Sequence, residues 1–126
     1  MQLLKPEFTH SDHRRTIQQL FTFPVKQINS YQANKGAVLG NHYHRQTREF
    51  FLITKGTVFA SSRHLQTKML TEFAASKGSL FVVEPYENHT IEVLSDEAQM
   101  LTFLTRPYQQ NDTDTFKVKE EACLKE

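Results

Sequence analysis

The stretch Gly36-Ala-Val-Leu-Gly-Asn-His42-Tyr-His44-Arg-Gln-Thr-Arg-Glu49-Phe-Phe-Leu-Ile-Thr-Lys-Gly56 decides how this chain is read. Its apolar runs are short and bounded by turn residues, which predicts strands over Ala37–His44 and Glu49–Thr54. Residues two apart on a strand face the same way, so His42 and His44 present neighbouring imidazoles while Tyr43 points to the other face. Glu49 opens the next strand, close enough to cross back to the pair. Farther along, His89 starts a strand in which Ile91 and Val93 share its parity. If those two fill an interior, His89 faces inward with them and Glu92 faces out.

Beyond this stretch, strands are expected over Val25–Tyr31, Thr57–Arg63, Lys68–Phe73, Ser79–Val83, Thr90–Leu94 and Gln99–Thr105. Asn34-Lys35-Gly36, Lys55-Gly56 and Ser76-Lys77-Gly78 supply turns between them, because glycine takes positive φ without steric cost. Helices are expected over only two segments: Thr9–Leu20, polar and opened by capping residues, and Lys117–Lys125. Asn111–Asp114 reads as a turn. The chain therefore divides into an N-terminal arm (1–24), a β-barrel (25–108) and a polar tail (109–126). There is no internal repeat and no low-complexity stretch.

A length of 126 residues suits one domain that buries roughly two thirds of its unfolded surface. A net charge of +1 with acids and bases interspersed gives no single-signed field, which argues against nucleic acid or an anionic membrane as partner. Cys123 is the only cysteine, so no internal disulfide or cysteine-based metal knuckle is available. That usage, and an N-terminus in which charge and Pro6 interrupt any apolar run, predicts a soluble cytoplasmic protein. Ten Phe and no Trp suit a barrel interior filled by medium-sized rings and branched aliphatics.

Gly, five residues, His42-x-His44, four residues, Glu49, six residues, Gly56 resembles the first motif of the cupin superfamily without a gap. The register of the second motif runs from Gly78 to His89, with Glu84 in the place of its Pro, Tyr86 in that of its Gly and Val93 in that of its Asn. The resemblance implies an all-β fold: a single-domain cupin, a jelly-roll-type antiparallel barrel or double-stranded β-helix. Within the superfamily, Gly40-Asn-His42-Tyr-His44-Arg45 and the upstream Asp12-His-Arg14 are similar to RmlC-like cupins acting on nucleotide-linked sugars. These are the 3,5-epimerases, the 3,4-ketoisomerases and the C-terminal cupins of polysaccharide-biosynthesis reductases. Leu39 stands where those families carry an Arg.

Three neutral imidazoles and one carboxylate make a mixed nitrogen and oxygen donor set, so His42, His44, Glu49 and His89 are candidate ligands for Zn, Fe, Mn, Ni, Co or Cu. The other reading of the same four is a hydrogen-bonded pocket without an ion. The resemblance implies that His42 is the base that removes a proton beside a ketone and that His44 is a second catalytic histidine. Tyr86 is a candidate acid or stacking surface, with Glu87 beside it as a solvated rim residue. Tyr31, Tyr43, Tyr86 or a metal are candidates to stabilise the oxyanion, with Tyr43 on the wrong face of a regular strand, and Arg45, Arg48 or Arg106 a candidate cation for substrate in place of the missing Arg. The expected partners are a nucleotide sugar or another small molecule and a second copy of the chain in a homodimer. A metal-dependent dioxygenase, or a non-enzymatic cupin that binds a small molecule or metal, would use the same four side chains.

Overall fold

Short β-branched and aromatic runs separated by glycine turns fold into eleven strands in the computed structural model, which describes residues 1–118. They are β1 (Gln2–Leu4), β2 (Phe8–Ser11), β3 (Thr16–Gln19), β4 (Gln27–Asn34), β5 (Val38–His42) and β6 (Glu49–Lys55). Then follow β7 (Thr57–His64), β8 (Leu70–Ser76), β9 (Leu80–Val83), β10 (Glu87–Val93) and β11 (Glu97–Leu104). A larger antiparallel sheet runs β1-β9-β6-β11-β4 and faces a smaller one, β5-β10-β7-β8. This is the expected all-β jelly roll, and each of the eight expected strands is present with its ends shifted by a few residues.

Alternation along the strands builds the core. Ile53, Phe81 and Met100 from the larger sheet meet Val58, Ala60 and Ile91 from the smaller one, all fully buried. Phe51 and Phe81 stack at 4.8 Å between ring centroids with their planes 4° apart. On the outside of the larger sheet, Phe21 and Phe23 pack on each other and on Phe50, 4.8, 5.2 and 4.6 Å apart.

The segment Thr9–Leu20, expected as a helix, is instead a β-hairpin, with Phe8 opposite Gln19 and Ser11 opposite Thr16. The Asp12 carboxylate accepts hydrogen bonds from the backbone N–H of Arg14 (2.8 Å) and Arg15 (3.2 Å), the same pattern that a helix N-cap makes. Here it closes a turn in which the Asp12 N–H donates to the Arg15 carbonyl at 2.9 Å. Thr16 and Ile17, β-branched, then favour extension over helix. Of the second expected helix, residues 117 and 118 are not helical, and the remainder lies outside the described residues, as does Cys123. None of the described residues forms a helix long and apolar enough to cross a membrane.

Candidate active site

The site begins with an irregularity in β5. Its ladder with β10 pairs Gly40 with Thr90 and His42 with His89, leaving Asn41 as an extra residue in a bulge. Gly40 (φ 89°) and Asn41 (φ 57°) are both left-handed there. A Cβ on Gly40 would lie 2.7 Å from the His89 carbonyl oxygen, so glycine permits the close approach of the two strands. The bulge brings the two histidines edge to face, their ring centroids 4.7 Å apart and their planes 83° apart. His44, just beyond β5, lies 5.2 Å from His42 and 5.5 Å from His89 between centroids. Glu49 enters from the first residue of β6 in the opposite sheet.

The donor atoms of His42, His44, Glu49 and His89 all lie within 4.8 Å of one another. His44 Nε2 is 3.1 Å and His89 Nε2 3.9 Å from Glu49 Oε1. Each of these two imidazoles turns its other nitrogen to a backbone carbonyl: His44 Nδ1 to Asp114 at 2.7 Å and His89 Nδ1 to Glu87 at 3.1 Å. A carbonyl acceptor fixes the proton on Nδ1 and aims Nε2 at the centre, the arrangement a metal-ligating imidazole uses. The donor set and its tethers therefore fit a divalent transition metal.

Burial is the main force on the charges. It pulls His89 down to about 4, so this imidazole is neutral at pH 7. It also lowers His42, and the nearby His44 charge lowers it further. For His44, burial opposes the charged form, but the hydrogen bonds to Glu49 and to the Asp114 carbonyl outweigh it and the pKa is raised. Glu49 is lowered correspondingly: the His44 hydrogen bond and the positive charge available on His89 and His44 overcome its burial. Without a metal, the hydrogen bond between His44 and Glu49 favours the charged form of each, beside two imidazoles whose burial favours the neutral form.

A cavity of about 190 Å³ opens onto this cluster. Its polar end is His42, Glu49 and His89, with Tyr31 on β4. Leu39, Phe51, Ile91 and Met100 make its apolar wall. Burial, followed by the Glu49 charge, pushes the Tyr31 phenol up and keeps it protonated. Leu39, in the position where the resembling families carry an Arg, faces this cavity with an apolar side chain.

The remaining candidates do not line the cavity. Tyr86 sits in the turn before β10 with φ 66°, its ring stacked on Tyr43 at 6.2 Å. Arg48 pairs with Glu84 at 2.8 Å, and Arg106 with Asp112 at 3.2 Å. The Arg45 guanidinium lies 4.1 Å above the Phe116 ring. Glu87, expected at a solvated rim, is buried: it is the first residue of β10, shares the inward parity of His89, and meets Ser62 Oγ at 3.2 Å and the Met1 amine.

Two residues of the site carry no local signal in the sequence. Asp114 lies beyond the observed turn at 109–112, and its carboxylate gathers the backbone N–H groups of Arg45 (3.0 Å), Gln46 (3.0 Å) and Thr47 (2.8 Å) and the Thr47 hydroxyl (2.7 Å). Phe116 then pairs backbone to backbone with Tyr43. Residues 114–116 thus strap the loop between His44 and Glu49. Thr102, fully buried on β11, has a hydroxyl without a hydrogen-bond partner among the described residues.

A two-sheet jelly roll with its polar cluster between the sheets, built on the His-x-His and Glu of one motif and the His of another, has the fold of an RmlC-like cupin. The chain belongs to the polysaccharide biosynthesis C-terminal domain family, whose model matches residues 10–116. Among solved structures it is similar to the capsular polysaccharide assembling protein CapF of Staphylococcus aureus, with TM-score 0.70 and 23% identity over 94% of this chain. The chain spans about a third of the CapF chain, 34%. It is similar, too, to the epimerase RmlC of Legionella pneumophila bound to dTDP-4-keto-L-rhamnose (TM-score 0.74, 18% identity, 94% of this chain and 72% of that one). The sugar 3,4-ketoisomerase QdtA of Thermoanaerobacterium thermosaccharolyticum, in complex with TDP, superposes at TM-score 0.77 with 13% identity, covering 98% and 92% of the two chains. At these identities the likeness establishes the fold. No curated protein matches the sequence.

Proposed function

We propose that the protein moves a proton at the carbon beside the ketone of a nucleotide-linked keto-sugar, epimerising or isomerising it in polysaccharide biosynthesis. The reading rests on one observation: His42 and Tyr31 reach the same cavity from opposite sheets with complementary protonation, a neutral imidazole and a protonated phenol. A carbon acid of this kind requires such a base and such an acid near pH 7. His42 takes the proton, the electron pair moves onto the ketone oxygen, and Tyr31 delivers a proton to the carbon from the other side. The family and the sugar-acting neighbours of the same fold point to the substrate class.

The cavity falls below the roughly 300–1,000 Å³ of sites that enclose drug-sized ligands, so the sugar ring enters and the nucleotide stays outside. Of the three candidate arginines, Arg45 has no carboxylate partner among the described residues and is the best placed to meet a diphosphate; Tyr86 lies near it as a second contact. A homodimer would cover both the free edge of β4 and the β2–β3 hairpin, which pairs with no other strand among the described residues.

A second reading is favoured by the tethers on His44 and His89: a metal centre in which His42 is a ligand and not the base. The ion would polarise the ketone, or bind oxygen in a dioxygenase. Incubation with dTDP-4-keto-6-deoxyglucose in D2O, with metal content measured on the same sample, tests both readings. Deuterium beside the ketone in metal-free protein, lost in His42→Gln by about 10²-fold or more, supports the first. Activity that requires about one metal per chain and disappears in His44→Ala supports the second, and no exchange at any metal loading overturns the sugar reading.

A further inference from the structure

We infer that Glu87 is a positioning residue: its carbonyl and its carboxylate together hold the His89 ring with Nε2 aimed at the cluster. The inference rests on the site of the proposed function and applies under both readings of it, because His89 stands at the polar end of the cavity whether His42 is base or ligand.

The backbone of β10 accounts for the carbonyl. Val93 turns its N–H and C=O toward β5, donating to Ala37 and accepting from Gly36, each at 2.9 Å. Backbone groups alternate sides along a strand, so Glu87, at the same parity, faces the same way. The ladder between β5 and β10 ends at His42 and His89 and does not reach Glu87. Its carbonyl is therefore open to the His89 Nδ1–H, at 3.1 Å.

The side chain accounts for that carbonyl staying in place. Glu87 follows Tyr86, whose φ of 66° is a conformation that a non-glycine residue resists, so the turn alone does not fix how β10 begins. The Glu87 carboxylate crosses diagonally to β7 and accepts from Ser62 Oγ at 3.2 Å; the Met1 amine meets the same oxygen. Ser62 is the residue directly opposite His89 on β7. The contacts close a loop, from the His89 ring to the Glu87 carbonyl, from the Glu87 carboxylate to Ser62, and from Ser62 across the ladder to His89. The inward row of β10 continues with Ile91 and Val93, and an apolar residue in place of Glu87 would avoid the cost of burying a carboxylate. The loop it closes gives the carboxylate its reason to be there.

The test compares wild type with Glu87→Met, Ser62→Ala, Glu87→Gln and Thr71→Val in chelator-treated protein, by NMR of the isotopically labelled imidazole nitrogens. Wild-type His89 is expected to carry its proton on Nδ1. Glu87→Met, of similar length without the polar end, and Ser62→Ala should leave the ring averaging over both tautomers. Glu87→Gln should keep the wild-type signals, since its amide oxygen still accepts from Ser62. Thr71→Val, opposite Ser62 on β8 and lining the same small cavity as Glu87, should keep them too. Co(II) affinity of the same samples should fall by about 10–100-fold in Glu87→Met and Ser62→Ala and hold in the other two. Unchanged His89 signals in Glu87→Met or Ser62→Ala overturn the inference even if the melting temperature falls, because a bare packing role moves stability alone. Equal loss in Thr71→Val overturns it as well. A wild type that binds no Co(II) and exchanges no deuterium into a keto-sugar overturns the proposed function, while the tautomer comparison still decides the role of Glu87.

Discussion

Gly40→Ala and Gly78→Ala, taken together, measure how much the bulge that brings His42 to His89 depends on the absence of a side chain. The two glycines have nearly the same backbone, φ 89° and 92°. Around Gly78 nothing lies within 4 Å of an added Cβ, whereas at Gly40 the His89 carbonyl oxygen would be 2.7 Å away. Left-handed backbone alone costs a non-glycine residue about 1–2 kcal/mol, and both variants carry that cost. Only Gly40→Ala also forces β5 from β10. The obstructing atom is backbone and cannot rotate aside, so the strands part until contact is normal. Losing one ladder hydrogen bond adds about 1 kcal/mol, and the disturbed His89 packing adds roughly another. Urea denaturation should therefore show Gly78→Ala destabilised by about 1–2 kcal/mol and Gly40→Ala by about 3–4 kcal/mol, without a change in m for either. Gly40→Ala should also weaken metal or substrate binding, which Gly78→Ala leaves unchanged. Equal destabilisation of the two variants would refute the close-approach account of the bulge.

Asp114→Ala should cost about 3 kcal/mol or more, because three backbone N–H groups and the Thr47 hydroxyl lose a buried anionic acceptor; hydrogen exchange at residues 45–47 should accelerate, and unchanged protection there would count against the strap. In chelator-treated protein, stability should fall as pH drops from about 6.5 towards 4. The folded state holds His89 neutral down to about 4, while the unfolded chain takes up a proton near 6.5, so acid favours unfolding. That gap, at about 1.4 kcal/mol per pH unit, amounts to about 3 kcal/mol, which denaturation of His89→Gln should no longer show. His44, whose pKa is raised, contributes fully below 6.5 and loses its contribution only as pH rises through its folded value, so it does not mask the loss.

Strand parity was enough to place His42, His44 and His89 on one inner face, because alternation and the turn glycines are local properties of the sequence. The hairpin Phe8–Gln19 was hidden because Asp12 makes the same hydrogen bonds in a tight turn as in a helix cap. Glu87 was misjudged for a different reason: β10 starts three residues earlier than its apolar pattern, and parity then carries the carboxylate inward. Asp114 lay beyond local reading altogether. Its role comes from pairing with the 45–47 loop, 67–69 positions away, and no local spacing encodes such contacts.

The strap at residues 114–116 sets the order in which the site is completed during synthesis. Ribosomes deliver about 5–20 residues per second, so His44 emerges several seconds before the carbonyl that fixes its Nδ1 proton. A nascent chain released at residue 110 would carry all eleven strands, yet its 45–47 loop would have no anchor and His44 no carbonyl from Asp114. Stalled or truncated products would thus keep the scaffold and all four inward side chains while His44 was free to turn. Quality control that senses only exposed apolar surface would not distinguish them from the finished protein.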